Sequence, residues 1–254
     1  MGISLNVSSP TISVVTVTYN SLATLRHTIA SIADQAGEPV EHIVIDGGST
    51  DGTVDLIRET PSIARFVSEP DAGIYDAMNK GLALSTGDYV GFLNADDLYA
   101  SPTAVASLRE CITSRRPDVI YGDLQYVDAK NTERVIRDWR AGEFSFGHLN
   151  WGWMPPHPTF YVRRDLLAEL GCFDTKYRIA ADYDFMTRYL LARGRHYAYV
   201  PQVLVKMRSG GVSNRSLANI LRKSREDLDV IRTHGLGRYG TLLGKNLRKV
   251  QQFV

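Results

Sequence analysis

Two adjacent carboxylates, Asp96 and Asp97, close the segment Phe92-Leu-Asn-Ala-Asp-Asp97. Hard divalent cations such as Mg²⁺ and Mn²⁺ take oxygen ligands, often one or two carboxylates completed by substrate phosphates. A short acidic turn at a strand end offers such a partial cage. The same pair also suits a helix N-terminus, where the dipole favours negative charge. A second cluster, Asp46-Gly-Gly-Ser-Thr-Asp-Gly52, has the glycine and hydroxyl content of a phosphate loop. It lacks both GxGxxG and the Walker lysine, and reads equally as a strand-to-helix turn capped by Ser49 or Asp51. Asp182, in Ile179-Ala-Ala-Asp-Tyr-Asp-Phe185, opens an amphipathic stretch where it can cap a helix or serve as a catalytic carboxylate. His157 stands between Pro156 and Pro158, which would hold its imidazole in place.

These residues need elements to position them. Thr11–Thr18 is a β-branched, nearly continuous apolar run, the pattern of a strand buried on both faces. Leu22, Leu25, Ile29 and Ile32 follow at helical spacing, with Ser21 as N-cap. Strands are expected over His42–Asp46, Ala64–Ser68 and Tyr89–Leu93, and helices over Thr53–Glu59 and Ile74–Leu84. This alternation predicts an α/β fold with a mainly parallel central sheet flanked by helices. Ligands bind outside the carboxyl ends of such strands. Thr18-Tyr19-Asn20, Asp46–Gly52 and Asn94–Asp97 all lie there. The second half is less regular: strands over 119–127, an antiparallel partner at Arg134–Arg140, a loop rich in Gly, Trp, Pro and His over 147–158, and strand 159–162. A helix over Asp182–Ala192, a strand over His196–Met207 interrupted by Pro201, and a helical pattern from Leu217 complete it.

Composition narrows the classes further. The 254 residues include 29 Lys+Arg against 28 Asp+Glu, so the chain is nearly neutral. With 44% hydrophobic residues it is neither disordered nor equipped to neutralise a nucleic-acid backbone. Cys111 and Cys172 fit no metal or redox spacing and read as ordinary residues of a reducing compartment. No stretch has the pattern of a signal peptide or the length of a membrane span. The expectation is a cytoplasmic chain, or one held on the cytoplasmic face of the inner membrane without a spanning helix.

Taken in order, the segments Val15–Asn20, Ile45–Thr53, Ser68–Gly81, Thr86–Asp97, Pro156–Thr159, Ala181–Asp184 and Gly210–Ser213 make the chain resemble the inverting GT-A glycosyltransferases of family 2. The likeness is strongest to the bacterial colanic-acid-type, exopolysaccharide and O-antigen sugar transferases, and it covers residues 10–215. It implies a nucleotide-binding half over 10–100, an acceptor-binding half over 101–215, and a helical tail over 216–254. In the donor site, the resemblance places Thr18, Tyr19 and Asn20 at the nucleoside and Asp46 at the base, with Asp51 beside it. Asn79 and Lys80 fall on the donor side, where many relatives have Arg at the position of Met78. Asn94-Ala95-Asp96-Asp97 takes the place of the DxD motif, with Asn94 at its first position. Asp96 and Asp97 would then hold Mn²⁺ or Mg²⁺ against the diphosphate. Gly211 and Ser213 match a loop that closes over that diphosphate.

Asp182 takes the place of the general base, preceded by Ala181 where the family has Glu. The implied reaction is an inverting, metal-dependent transfer from a nucleotide-diphosphate sugar, UDP favoured. Its acceptor would be a saccharide or an undecaprenyl-diphosphate-linked saccharide. A nucleotide-sugar-binding module without transfer is the alternative. Trp151, Trp153 and His157 lie between donor half and base, where aromatic faces could stack on an acceptor sugar or simply pack in the core. No acidic residue follows Asp229, whereas Arg232, Arg238, Lys245, Arg248 and Lys249 do. Interleaved with leucines, these make a basic amphipathic tail that could lie on an anionic membrane or dock on protein.

Overall fold

All seven residues of β1 (Ile12–Thr18) are buried, as a strand covered on both faces must be. Its side chains alternate: Val15 and Val17 enter one core cluster, Ile12 and Val14 another. The computed structural model describes residues 9–210, 217–237 and 240–245. The first half runs β1, α1 (Leu22–Ala33), β2 (Glu41–Asp46), α2 (Thr53–Arg58), β3 (Arg65–Ser68), α3 (Ile74–Leu84) and β4 (Tyr89–Phe92). Strands β3, β2, β1 and β4 pair in parallel, in that order. Three carboxyl ends, those of β1, β2 and β4, therefore open onto one rim, as the alternation predicts.

Beyond β4 the sheet becomes mixed. The chain continues through β5 (Asp97–Tyr99), α4 (Ala104–Arg115), β6 (Val119–Val127), β7 (Val135–Trp139), α5 (Phe146–Asn150), a 3₁₀ turn (His157–Thr159), β8 (Tyr161–Arg163), α6 (Leu166–Leu170), α7 (Ala181–Leu191), β9 (Tyr197–Arg208) and α8 (Leu217–Thr233). The nine-stranded sheet orders as β3-β2-β1-β4-β8-β6-β9-β5, with β7 added to β6. β8 is antiparallel to β4 and β6, and β5 to β9, while β6 and β9 pair in parallel. The two stretches expected over 119–127 are one strand, and β7 pairs with it antiparallel as expected. Pro201 does not break β9; the ladder absorbs it through register shifts on either side of Asp123. Among the described residues no helix is long and apolar enough to cross a membrane.

Candidate active site

The turn between β4 and β5 carries Asn94, Ala95 and Asp96 and delivers Asp97 as the first residue of β5. Asp97 has no accessible surface. Burial pushes its carboxyl well above the usual carboxylate range, and the neighbouring Asp96 charge pushes the same way. Asn94 Nδ2 donates to Asp97 Oδ2 at 3.2 Å. Asn94 Oδ1 and Asp97 Oδ1 are both buried without a hydrogen-bond partner. Two orphaned oxygens beside a further carboxylate fit a hard cation, which would restore the ionised form of Asp97. Asn94 thus brings an oxygen to the place of an acidic ligand. Among the described residues no group of three His, Cys, Asp or Glu side chains could hold a metal, so phosphate oxygens would have to complete the shell. Arg208 at the end of β9 braces the turn, its Nη1 donating to Asp96 O at 2.7 Å.

Asn94 also lines a cavity of about 260 Å³ whose wall includes Tyr75, His157, Asp182, Tyr183, Asp227 and Lys245. Asn94 of the acidic turn and the expected base therefore share one cavity, although 88 positions separate Asn94 from Asp182 in sequence. Asp182 sits in the first turn of α7. Its Oδ1 accepts from Tyr183 N at 2.8 Å and from Tyr75 Oη at 3.2 Å. The cap of α7 is not local: Glu226 of α8 accepts from the N–H groups of Arg178, Ile179 and Ala180 at 3.2, 2.8 and 3.0 Å. Asp184, the other acid of this turn, is buried and paired with Arg188 (2.9 Å) and His234 (2.8 Å). His157 stacks on Phe92 at 5.4 Å, and its Nε2 is buried without a partner. Burial pushes its imidazole below the usual histidine range, against the pull of the Asp182 charge. Its Nε2 is a buried polar atom that no protein group satisfies.

The end of the site where the sequence places the nucleoside is an open rim. Tyr19 is 63% exposed, and Asn20 adopts φ 47°, a left-handed conformation that Asn tolerates. Asn20 ties two turns together, its N–H donating to Ser49 Oγ and its Oδ1 accepting from Thr50 N. Thr18 is buried beside it with an unpartnered Oγ1. Asp46 is fully buried. Its Oδ2 accepts from Gly48 N, Ser49 N and Ser68 Oγ, and its Oδ1 from Ser49 Oγ. With no accessible surface, it organises the turn, and a direct bond to a base would need that turn to rearrange. The N-cap of α2 is Gly52, so neither Ser49 nor Asp51 takes that position; Asp51, one residue earlier, accepts at Oδ1 from Thr53 N and Oγ1 and at Oδ2 from Leu22 N.

Several residues expected to contact ligands also have structural partners within the chain. Asn79 clamps the backbone of Phe173, Nδ2 to Phe173 O and Oδ1 from Phe173 N, both at 2.9 Å. Both polar atoms of its amide are engaged, and they brace α3 against the 171–180 loop. Lys80 pairs with Glu69 at 2.7 Å and Asp76 at 3.6 Å, and Ala95 is buried in a core cluster. Trp153 is also core: 6% exposed, with Nε1 donating to Ala141 O at 2.7 Å. Trp151 is 68% exposed. Of the aromatic group, only His157 lines the cavity. Gly211 and Ser213 lie outside the described residues. So does much of the tail, but its segment 240–245 docks on the protein: Thr241, fully buried, donates to Asn150 O at 2.7 Å. Sequence reasoning missed Tyr75, Asp227 and Lys245. Tyr75 stands inside the quoted Ser68–Gly81 segment; the other two have no local signal.

The chain matches the sequence model of Glycosyl transferase family 2 over residues 13–178. It is 34% identical over 190 residues to an uncharacterized glycosyltransferase of Mycobacterium tuberculosis, covering 71% of this chain and 69% of that one. It is 31% identical over 217 residues to a PGL/p-HBAD biosynthesis glycosyltransferase of Mycobacterium bovis, covering 82% and 80%. Among solved structures, residues 1–349 of S. aureus TarS align with TM-score 0.68 at 18% identity, covering 95% of this chain and 72% of that one. The chain spans 43% of the longer TarS structure. The mannosyltransferase PcManGT of Pyrobaculum calidifontis, in complex with GDP-Man and Mn²⁺, aligns with TM-score 0.64 at 20% identity, covering 89% and 64%.

Proposed function

Because the chain belongs to the family 2 glycosyltransferases and has their GT-A fold, we propose that it moves a sugar from a nucleotide-diphosphate sugar to a saccharide or lipid-linked saccharide, with inversion at the anomeric carbon. The observation that carries this reading is the shared cavity, with Asn94 of the acidic turn and Asp182 of α7 in one wall. Asp182 is the general base. It takes the proton of an acceptor hydroxyl as that oxygen attacks the anomeric carbon opposite the departing diphosphate. Tyr75 and the Tyr183 N–H fix Oδ1, which aims the carboxylate without occupying both of its oxygens. His157 offers its buried Nε2 to the acceptor or the transferring sugar. A divalent cation, when bound, neutralises charge on the leaving group, and Asn94 Oδ1, Asp96 and Asp97 are the residues that would hold it.

The donor nucleotide is best assigned as uridine, since TarS has been solved with UDP-GlcNAc; PcManGT, with GDP-Man, marks the competing choice. The rim of Thr18, Tyr19, Asn20 and the Asp46–Asp51 turn takes the nucleoside, its exposed Tyr19 ring offering a stacking face. The role is assembly of a bacterial surface polysaccharide or glycolipid, on the cytoplasmic side of the membrane. The PGL/p-HBAD relative supports a glycolipid setting. The transferase names of the relatives favour an enzyme over a module that only binds nucleotide sugars. Calorimetric titration with UDP-, GDP- and dTDP-sugars in the presence of Mn²⁺, followed by a transfer assay with the donor that binds, tests the reading. Binding of none of them contradicts it. Liposome pelleting of the full chain against one ending at residue 231, which removes all five of the tail's cations, tests the membrane contact, and equal pelleting would exclude it from residues 232–254.

A further inference from the structure

Residues 240–245 form a helical stretch that brings Lys245 into the wall of the cavity holding Asp182. They lie far beyond residue 178, where the family match ends. The stretch is seated closely on the 150–153 loop. A Cβ on Gly152 would stand 2.5 Å from Thr241 O, and one on Gly244 2.5 Å from Trp151 O, so only glycine permits these approaches. Thr241 adds its bond to Asn150 O.

The seat delivers a charge to the site. Lys245 Nζ donates to Asp227 Oδ1 at 2.8 Å and lies 3.4 Å from the centre of the Tyr183 ring, the residue next to Asp182. Both side chains of the pair are nearly buried, 14% and 4% exposed. Removing two ions from water costs several kcal/mol, which their attraction repays only with good geometry and further hydrogen bonds. An apolar pair of similar volume would hold the stretch in place equally well. The pair does, however, offer the cavity something an apolar pair cannot. An ammonium has three N–H donors and a carboxylate two acceptor oxygens, and their mutual bond uses one of each. A donor beside an acceptor is the complement of two neighbouring hydroxyls on a sugar ring.

We propose that Lys245 and Asp227 are the acceptor-positioning pair of this site, binding two hydroxyls of the acceptor sugar so that another faces Asp182. This rests on the reading of Asp182 as general base. The C-terminal stretch is then a working wall of the active site and sets acceptor selectivity.

The test uses the full chain, UDP as donor-side probe and a panel of p-nitrophenyl glycosides as acceptors, with the nucleotide sugar that binds as donor. The double variant Lys245→Met with Asp227→Leu removes both charges and leaves none unpaired. It should raise acceptor KM about tenfold or more, the loss of a hydrogen bond to a charged group. Its kcat should stay within about threefold and its UDP affinity within about twofold of wild type. Amide-exchange protection of 240–245 should persist. A double variant with wild-type acceptor KM overturns the proposal. So does one that loses UDP affinity in parallel or loses protection of 240–245, since the pair would then be only a seat. Asp182→Asn run alongside separates the parent reading, because it should lose kcat while acceptor KM and UDP affinity hold. An active Asp182→Asn chain, or a wild type that transfers to no member of the panel, overturns that reading instead.

Discussion

Tyr75 Oη lies 2.7 Å from Ile179 O and 3.2 Å from Asp182 Oδ1, so the single hydroxyl proton of this α3 residue is shared between the loop that leads into α7 and the first-turn carboxylate of α7. Residues from the parallel half of the sheet and from the C-terminal half meet at this point. Tyr75→Phe keeps the ring, which stacks on Phe173 at 5.5 Å, and removes the hydroxyl. The expected result is a fall in kcat of about three- to tenfold, the scale of one long, shared hydrogen bond to the carboxylate, with little change in Tm. Steady-state kinetics beside a thermal melt reads both.

Glu226 is the remote cap of α7, accepting three backbone N–H groups just ahead of Asp182. Glu226→Ala should cost about 1–2 kcal/mol of stability, as other cap removals do. It should also lower kcat, since the helix that aims the base loses its anchor. Denaturant unfolding and turnover measured on one preparation check the pair of effects; an unchanged midpoint would show that the cap contributes nothing.

His42 gives a pH prediction. Burial alone pushes its imidazole down to about 4 from the usual 6.5, and its Nδ1 has no partner. The folded state therefore keeps His42 neutral while the unfolded chain takes up a proton. Stability from this residue is complete above about 6.5 and falls as pH drops toward about 4, by on the order of 3 kcal/mol in total. His42→Leu should flatten that slope in urea titrations between these pH values. A wild-type slope in the variant would assign the effect elsewhere.

Much of this was legible before any coordinates. The parallel half follows from β-branched runs such as Ile12–Thr18 alternating with helical spacing, because buried strands and amphipathic helices write local patterns. The Asp96–Asp97 turn and Asp182 were legible as motif positions. What was not legible depends on partners distant in sequence. Asp46 and Asn79 have the residue types of ligand contacts, yet tertiary hydrogen bonds from Ser68 and to Phe173 commit them to the scaffold. Trp151 and Trp153 stand two residues apart, and only packing decides that one is exposed and the other core. The three-residue strands β5 and β8 are too short to show a period. Lys245 looks like one more cation of a basic tail until its segment is seen against Gly152.

The acidic turn predicts metal dependence. Asn94 Oδ1 and Asp97 Oδ1 are buried and unpartnered, so a cation should be needed to hold Asp97 ionised. EDTA should abolish transfer, with Mn²⁺ or Mg²⁺ restoring it, and Asp97→Asn should lower restored activity by about a hundredfold or more. Transfer that survives EDTA in a metal-free buffer contradicts this assignment.

The general-base role of Asp182 is the centre of the account, and Asp182→Asn tests it most directly. The substitution keeps shape and the acceptor oxygen for Tyr75 and Tyr183 N–H while removing the basicity. Turnover with saturating donor and acceptor should fall by about a thousandfold, within the range lost with a general base, while UDP binding by calorimetry stays within about twofold of wild type. An Asp182→Asn chain that turns over at near the wild-type rate would contradict the account.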